Sequence, residues 1–235
     1  MSQIASVSLS VRELVEFILA SGSIDNRGGG DLYQRANEGA RLHRKLQKRS
    51  RSQYGEIYQP EVTLSDERKV DGVVFHIYGR ADAILDDPEG PIIEEIKTTE
   101  LALTLLSDQP EQSGYNPLHW AQATCYAFIL AQQRQLPEVR VRLIYCQLET
   151  EETISFTHRL SFEQLSQFYL DLLARYHRWA MMRFDWEQLR NRCAKQLAFP
   201  FSEYRAGQRQ MAAVIYRANT NFNIHTKYMN SYFIF

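Results

Sequence analysis

Cysteine is scarce in this sequence and widely spaced. The 235-residue chain has three, Cys125, Cys146 and Cys193. They form no CxxC pair and cannot all pair with one another, which argues against a disulfide framework and for a reducing cytoplasm. Long apolar runs are also missing. None approaches the roughly 20 residues that span a bilayer, so no membrane partner is expected. The opening stretch MSQIASVSLSVRELVEFILA carries Arg12, Glu13 and Glu16 inside its apolar part, unlike a secretory signal. A net charge of −1 excludes a uniformly basic surface, so any nucleic-acid contact must rest on a local patch. No internal repeat is visible. What is present is an ordinary apolar fraction of 44% in a chain of sufficient length for one ample domain.

The hydrophobic pattern sets the order of elements. SVRELVEFILASG reads as a helix, with Ser10 and Glu13 as a capping box and Leu14, Phe17 and Ile18 on one face. SIDNRGGGD is a loop. DLYQRANEGARLHRKLQKRS is a second helix, whose stripe holds Leu32, Ala36, Gly39, His43 and Leu46. QPEVTL and VDGVVFHIYGRADAIL are strands, DDPEGP is a turn and IIEEIKTT is the next strand. A helix follows over NPLHWAQATCYAFILAQQRQ, then strands VRVRLIYCQL and TISFTHRL. LSFEQLSQFYLDLLARYHRWAMMRF and DWEQLRNRCAKQL are read as two further helices, the first capped by Ser161 and Gln164. This order predicts an α/β fold of three layers, a mixed central sheet flanked by helices.

Strand alternation then isolates a group of polar residues. Val73, Phe75, Ile77, Ala81, Ala83 and Leu85 share one parity, the expected core face. Asp82 has the other parity. In the next strand Glu95 and Lys97 share a face and Glu94 points away from it. Two carboxylates with room for water suit a hard cation such as Mg²⁺, and a neighbouring lysine can hold a water. A surface ion pair between Glu95 and Lys97 would produce the same spacing and contribute little. His43 lies on its helix's apolar stripe, where a core histidine is the plain alternative. Gln122 and Tyr126 share a helix face, and His119 lies one turn before Gln122.

Taken together, EGARLH (Gly39, His43), GRAD (Asp82), EIK (Glu95, Lys97) and QATCY (Gln122, Tyr126) resemble, in that order, the PD-(D/E)XK nuclease superfamily and its RecB-like branch. The usual proline before the aspartate is Ala81 here. The resemblance implies a restriction-endonuclease-like core that hydrolyses DNA phosphodiesters. Asp82, Glu95, the Ile96 carbonyl and His43 would hold Mg²⁺ or Mn²⁺. Lys97 would position the attacking water, and Gln122 and Tyr126 would orient the lysine or hold the strand. Some relatives carry a four-cysteine iron–sulfur cluster; three cysteines predict none here.

RLHRKLQKRSR gathers Arg41, Arg44, Lys45, Lys48, Arg49 and Arg51 with no acid among them, the pattern of a phosphate-contacting face; a solvated helix face is the alternative. FPFSEYRAGQRQMAAVIYRA resembles the segment that opens DinG-type superfamily 2 helicases, in which Gln208 would contact adenine and Arg205 belongs to the same motif. No GxxxxGK[ST] loop follows. The expected organisation is a nuclease domain over 1–198, a helicase-like segment over 199–218 and an atypical tail over 219–235. On this reading the chain derives from a nuclease–helicase fusion cut off before its ATP site, with no ATPase activity of its own. A helicase module would be its partner in a full-length protein and DNA repair or end processing its setting; the alternatives are a non-catalytic DNA-binding or docking module of a helicase, or an inactive truncated remnant.

Overall fold

Two strands of thirteen residues each build the longest hairpin. In the computed structural model, which describes residues 5–21, 32–196 and 203–221, strand β2 (Tyr58–Val70) pairs antiparallel with β3 (Val73–Leu85). The two-residue turn is Asp71-Gly72, with φ of 42° and 87°. Positive φ at both centres is what a tight hairpin matching the strand twist requires. The other strands are β1 (Ala5–Ser10), β4 (Ile92–Thr99), β5 (Glu138–Gln147) and β6 (Thr153–Ser161). They form a mixed sheet in the order β1-β3-β4-β5-β6, with β2 on the far side of β3.

Helix α1 (Val11–Leu19) starts at the expected Ser10–Glu13 capping box. The buried set differs from expectation. Val11, Leu14 and Val15 are inside, while Phe17 is 48% exposed. Phe17 instead rests its ring edge against Tyr176 and Trp179. Helix α2 (Leu32–Tyr54) is followed by a single 3₁₀ turn, and α3 spans Pro117–Arg134. Residues Trp120 to Ala131 of α3 are buried apart from Gln122. A helix apolar on nearly every side must be an internal one. Helix α4 (Phe162–Gln196) is continuous where two helices were expected, because no glycine or proline between Met182 and Trp186 interrupts it.

By contact the chain divides into two units, Met1–Asp185 and Trp186–Phe235. In the first, α2 and α3 cover opposite faces of β4. Gly39 of α2 lies against Thr98, where an added Cβ would approach Thr98 Oγ1 to 3.1 Å. Gln122 of α3 meets Lys97. Tyr169 of α4 stacks on Phe128 of α3 with centroids 4.3 Å apart, and its hydroxyl donates to Asp66. In the second unit, α5 (Gln208–Asn221) starts at Gln208, whose Oε1 accepts from the Arg205 amide at 3.1 Å. The glycine-rich loop after Ser23, the side chains of Leu32 and Ala36, and the tail beyond residue 221 lie outside the described residues.

One irregularity positions everything that follows. The second edge of β3 is shared. β1 pairs with it in parallel over Val73–Tyr78, and β4 pairs antiparallel only over Ala83–Leu85. Residues 79–82 face a notch between the two. Across the hairpin, Glu61 stands opposite Asp82 in register but is skipped by the pairing, and its φ is 54°. A left-handed glutamate inside a strand is a strained conformation costing about 1–3 kcal/mol. The strand rolls over at this point. Val73, Phe75, Ile77 and Ala81 join the main core together with Ile84, whereas Ala83 and Leu85 join a small cluster with Tyr58 and Ile92. The single core face expected over residues 73–85 is therefore buried throughout but divided in two, with the change at Asp82.

Candidate active site

The notch holds the polar residues that the strand pattern singled out. Continuing the Ala83–Glu94 pairing by one step brings Asp82 opposite Glu95. Ladder pairing stops there, and the Asp82 side chain replaces it: Oδ2 accepts from the Ile96 amide at 2.7 Å. Asp82 Oδ1 lies 3.7 Å from His43 Nδ1, so the imidazole is turned to the carboxylate and not wrapped in leucines. Glu95 is 2% exposed. Its Oε1 accepts from Lys97 Nζ at 2.7 Å, and Lys97 also donates to Gln122 Oε1 at 3.1 Å. Glu95 Oε2 is buried and has no hydrogen-bond partner.

Tyr126 closes the bottom of the notch. Its hydroxyl lies over Gly79, where a Cβ would come within 2.6 Å of it, and near the Arg80 amide and the Gln122 side chain. Glycine is the residue that leaves room for this phenol. Above, a cleft of ≈ 320 Å³ is lined by Arg12 and Glu16 of α1, His43 of α2, Ile96 to Thr98 of β4, and Leu118, His119 and Gln122 of α3.

Burial and the Asp82 charge push the Glu95 carboxyl up to about 7, with Lys97 and His43 pulling the other way. Tyr126 is pushed up to about 12, by burial first and the Glu95 charge second. The sign of the pH effect follows. Between its usual 4.5 and about 7, Glu95 keeps its proton in the folded chain and loses it in the unfolded one. The native state binds more protons in that window, so stability falls as pH rises through it. The metal-free protein should lose melting temperature from the acid side of the window to its neutral side, and Glu95→Gln should flatten that slope. A melting temperature that rises over the same range would show that Glu95 is solvated.

The donor set fits a hard cation. Asp82 and the orphaned Glu95 Oε2 would be its oxygen ligands, and Ile96, which brings a carbonyl, directly follows Glu95 in sequence. Among the described residues no three His, Cys, Asp or Glu side chains are grouped to enclose an ion unaided. Magnesium is commonly held by one or two carboxylates with water in its remaining positions, and two carboxylates are what this notch offers.

Sequence reasoning left out Gln47. It is 7% exposed, and its Nε2 donates to the Asp82 carbonyl at 2.9 Å. It lies one turn beyond His43, so α2 holds Asp82 from two positions, side chain and backbone. The i, i+4 spacing of His43 and Gln47 was the available signal. Arg12 was likewise missed; it pairs with Glu16 at 2.6 Å on the cleft wall.

The basic stretch divides. Arg41 and Lys45 are both tied to Glu151, and Arg51 to Glu56 and the Tyr58 carbonyl. Arg44, Lys48 and Arg49 are exposed and have no acidic partner among the described residues. The absence of acid from the local sequence is offset for three of the six by acids brought from elsewhere.

The fold is therefore an α/β one, a mixed sheet flanked by helices, as the element order predicts. The chain belongs to the PD-(D/E)XK nuclease superfamily, whose profile matches residues 11–211. No curated protein sequence matches it significantly. Among solved structures it is similar to SSO0001, with 20% identity over 71% of this chain and 75% of that one at a TM-score of 0.44. It is also similar to an alkaline exonuclease (LHK-Exo) from Laribacter hongkongensis, with 14% identity over 81% of this chain and 95% of that one, TM-score 0.45. A phage-related exonuclease from Haemophilus somnus 129PT gives 11% identity over 74% and 81%, TM-score 0.42. The three cysteines are free thiols, and no helix among the described residues is long and apolar enough to cross a membrane.

Proposed function

We propose that this chain is a Mg²⁺- or Mn²⁺-dependent deoxyribonuclease that hydrolyses phosphodiester bonds at the β3–β4 notch. The observation that carries the reading is the convergence of Asp82, Glu95 and Lys97 on a break in the sheet, with one buried Glu95 oxygen lacking any partner. A divalent cation bound there supplies positive charge to phosphate oxygens and lowers the pKa of a water. The chain's own residues do the rest. Asp82 and Glu95, with His43 and the Ile96 carbonyl, would hold the cation. Lys97, steadied by Gln122, orients the water and offsets the charge that develops on the phosphate. Tyr126 holds Gln122 and the floor of the notch.

Within the superfamily, the ordered set Gly39–His43, Asp82, Glu95–Lys97 and Gln122–Tyr126 supports the RecB-like branch. The Arg205–Gln208 segment is the ground for reading a DinG-type helicase origin, and with it a role in DNA repair in the cytoplasm. The test is digestion of end-labelled single- and double-stranded DNA with Mg²⁺, Mn²⁺ or EDTA, with Lys97→Ala as control. Cleavage that needs the metal and Lys97 is expected. Cleavage that persists in Lys97→Ala, or none with either metal, would overturn the reading.

Arg44, Lys48 and Arg49 are the cations of α2 left to meet phosphate. Each phosphate contact contributes about 0.9 to the slope of log K against log salt on duplex DNA. Replacing all three with alanine should flatten that slope by about 2 to 3. Replacing Arg41 and Lys45 should flatten it less, because Glu151 already occupies them. Equal effects from the two sets would show that the Glu151 pairs open on binding.

A further inference from the structure

His119 stands on the α3 wall of the cleft, beside Lys97 and one turn before Gln122, and the reaction scheme above gives it no task. Its ring is held from behind. Nδ1 lies 3.0 Å from the Tyr145 hydroxyl, and Tyr145 is 2% exposed. That contact is the one hydrogen bond the phenol makes among the described residues. A buried phenol must give its proton to an acceptor, and Nδ1 is the acceptor present. An imidazole that accepts at Nδ1 carries its own proton on Nε2.

The cleft's other cationic or imidazole side chains each face a carboxylate. Arg12 is bound to Glu16. Lys97 is shared between Glu95 and Gln122. His43 faces Asp82. His119 Nε2 is left without a protein partner among the described residues, on a side chain that lines the cleft.

We infer that His119 is a substrate-contacting residue: a neutral imidazole, fixed in its Nε2–H tautomer by Tyr145, that donates to a non-bridging phosphate oxygen of the bound strand. The inference rests on the nuclease reading and adds a contact to it. Burial and the Lys97 charge hold the His119 pKa down to about 4, so the ring stays neutral at neutral pH. It brings a hydrogen bond and no charge. That separates it from lysine and arginine contacts: it adds affinity without adding to the salt dependence, since no counterion is displaced by a neutral donor.

The experiment compares His119→Asn with His119→Gln. Glutamine's amide nitrogen reaches the position of Nε2, whereas asparagine's stops near that of Nδ1. Binding of a fluorescent duplex is followed by anisotropy over a range of salt, with Ca²⁺ replacing Mg²⁺. His119→Asn should weaken binding about tenfold, the effect of one hydrogen bond to a charged oxygen. The slope of log K against log salt should stay unchanged, and His119→Gln should return to within about threefold of wild type. Tyr145→Phe, which frees the tautomer without touching the cleft, should give an intermediate loss and carries the test if the Asn variant fails to fold. Wild-type affinity in a folded His119→Asn, or in Tyr145→Phe if the Asn variant does not fold, would overturn the inference. So would a loss accompanied by a salt slope flatter by about one, which would mark a charged contact. If the wild-type protein neither binds nor cleaves DNA, the nuclease reading itself fails; if it cleaves while His119→Asn matches it, this inference alone fails.

Discussion

Replacing Lys97 with alanine should lower the rate of DNA cleavage on the order of 10²–10³-fold, the usual effect of removing one donor from a site that stabilises developing charge. The melting temperature should fall as well, because buried Glu95 loses the lysine that pairs with its Oε1. Lys97 Nζ is held at 2.7 Å from Glu95 Oε1 and 3.1 Å from Gln122 Oε1, so its position is set from both the strand and the helix. A surface ion pair would contribute little to stability and nothing to rate. This pair differs in having its acid 3% exposed and its amine 22% exposed. The variant also has a pH signature. Lys97 is the largest of the influences that lower the Glu95 pKa. Without it, burial and Asp82 act less opposed, and Glu95 titrates at higher pH. Residual activity in Lys97→Ala should therefore rise over a more alkaline range than in wild type. Lys97→Arg should not restore the rate, because a planar fork does not reproduce a compact ammonium between two oxygens. An alanine variant that cleaves normally but melts early would reduce Lys97 to a structural ion pair.

How far the sequence discloses this arrangement depends on the period of each signal. Strand parity separates Glu95 and Lys97 from Glu94 correctly, because β4 is regular over its eight residues. It misreads the end of β3, because parity assumes an unbroken strand. The roll at Asp82 comes with Glu61 taking a left-handed φ on the partner strand, and nothing in QPEVTL announces it. β1 was invisible for a related reason. Its six residues, ASVSLS, run straight into the Ser10 cap, and a short parallel strand carries no turn signal of its own. Gln122 is the opposite case. It is the one residue not buried between Trp120 and Ala131, and a lone amide in a long apolar run points to the opening it faces. Gln47 was hidden among the charges of RLHRKLQKRSR, where composition suggests solvent on every side. The same composition made six cations look alike, when Glu151, more than a hundred residues away, ties up two of them.

Substituting methionine for Arg142 should destabilise the fold by roughly 3–5 kcal/mol, the cost of leaving a buried charge without its partner. Glu94 and Arg142 face each other across β4 and β5 in direct register. Arg142 Nη1 donates to Glu94 Oε1 at 2.8 Å. Glu94 is 1% exposed, and its Oε2 and the nearby Tyr58 hydroxyl each lack a hydrogen-bond partner. Burial already pushes the Glu94 pKa up, and Arg142 is the main influence pulling it down. With the guanidinium gone, the folded chain must either bury a bare carboxylate or protonate it, and protonation becomes harder as pH rises. The loss should thus grow with pH, which urea unfolding at several pH values would read. Asp82 adds to the effect, since its charge also bears on Glu94 from across the notch. Removing both charges should reverse most of the damage, because an apolar pair of similar volume is often neutral or better than a buried ion pair. The double variant Glu94→Leu/Arg142→Met is therefore expected within about 1 kcal/mol of wild type. A single Arg142→Met variant that costs less than about 1 kcal/mol would instead show that water reaches Glu94 and that this end of β4 is open on both faces.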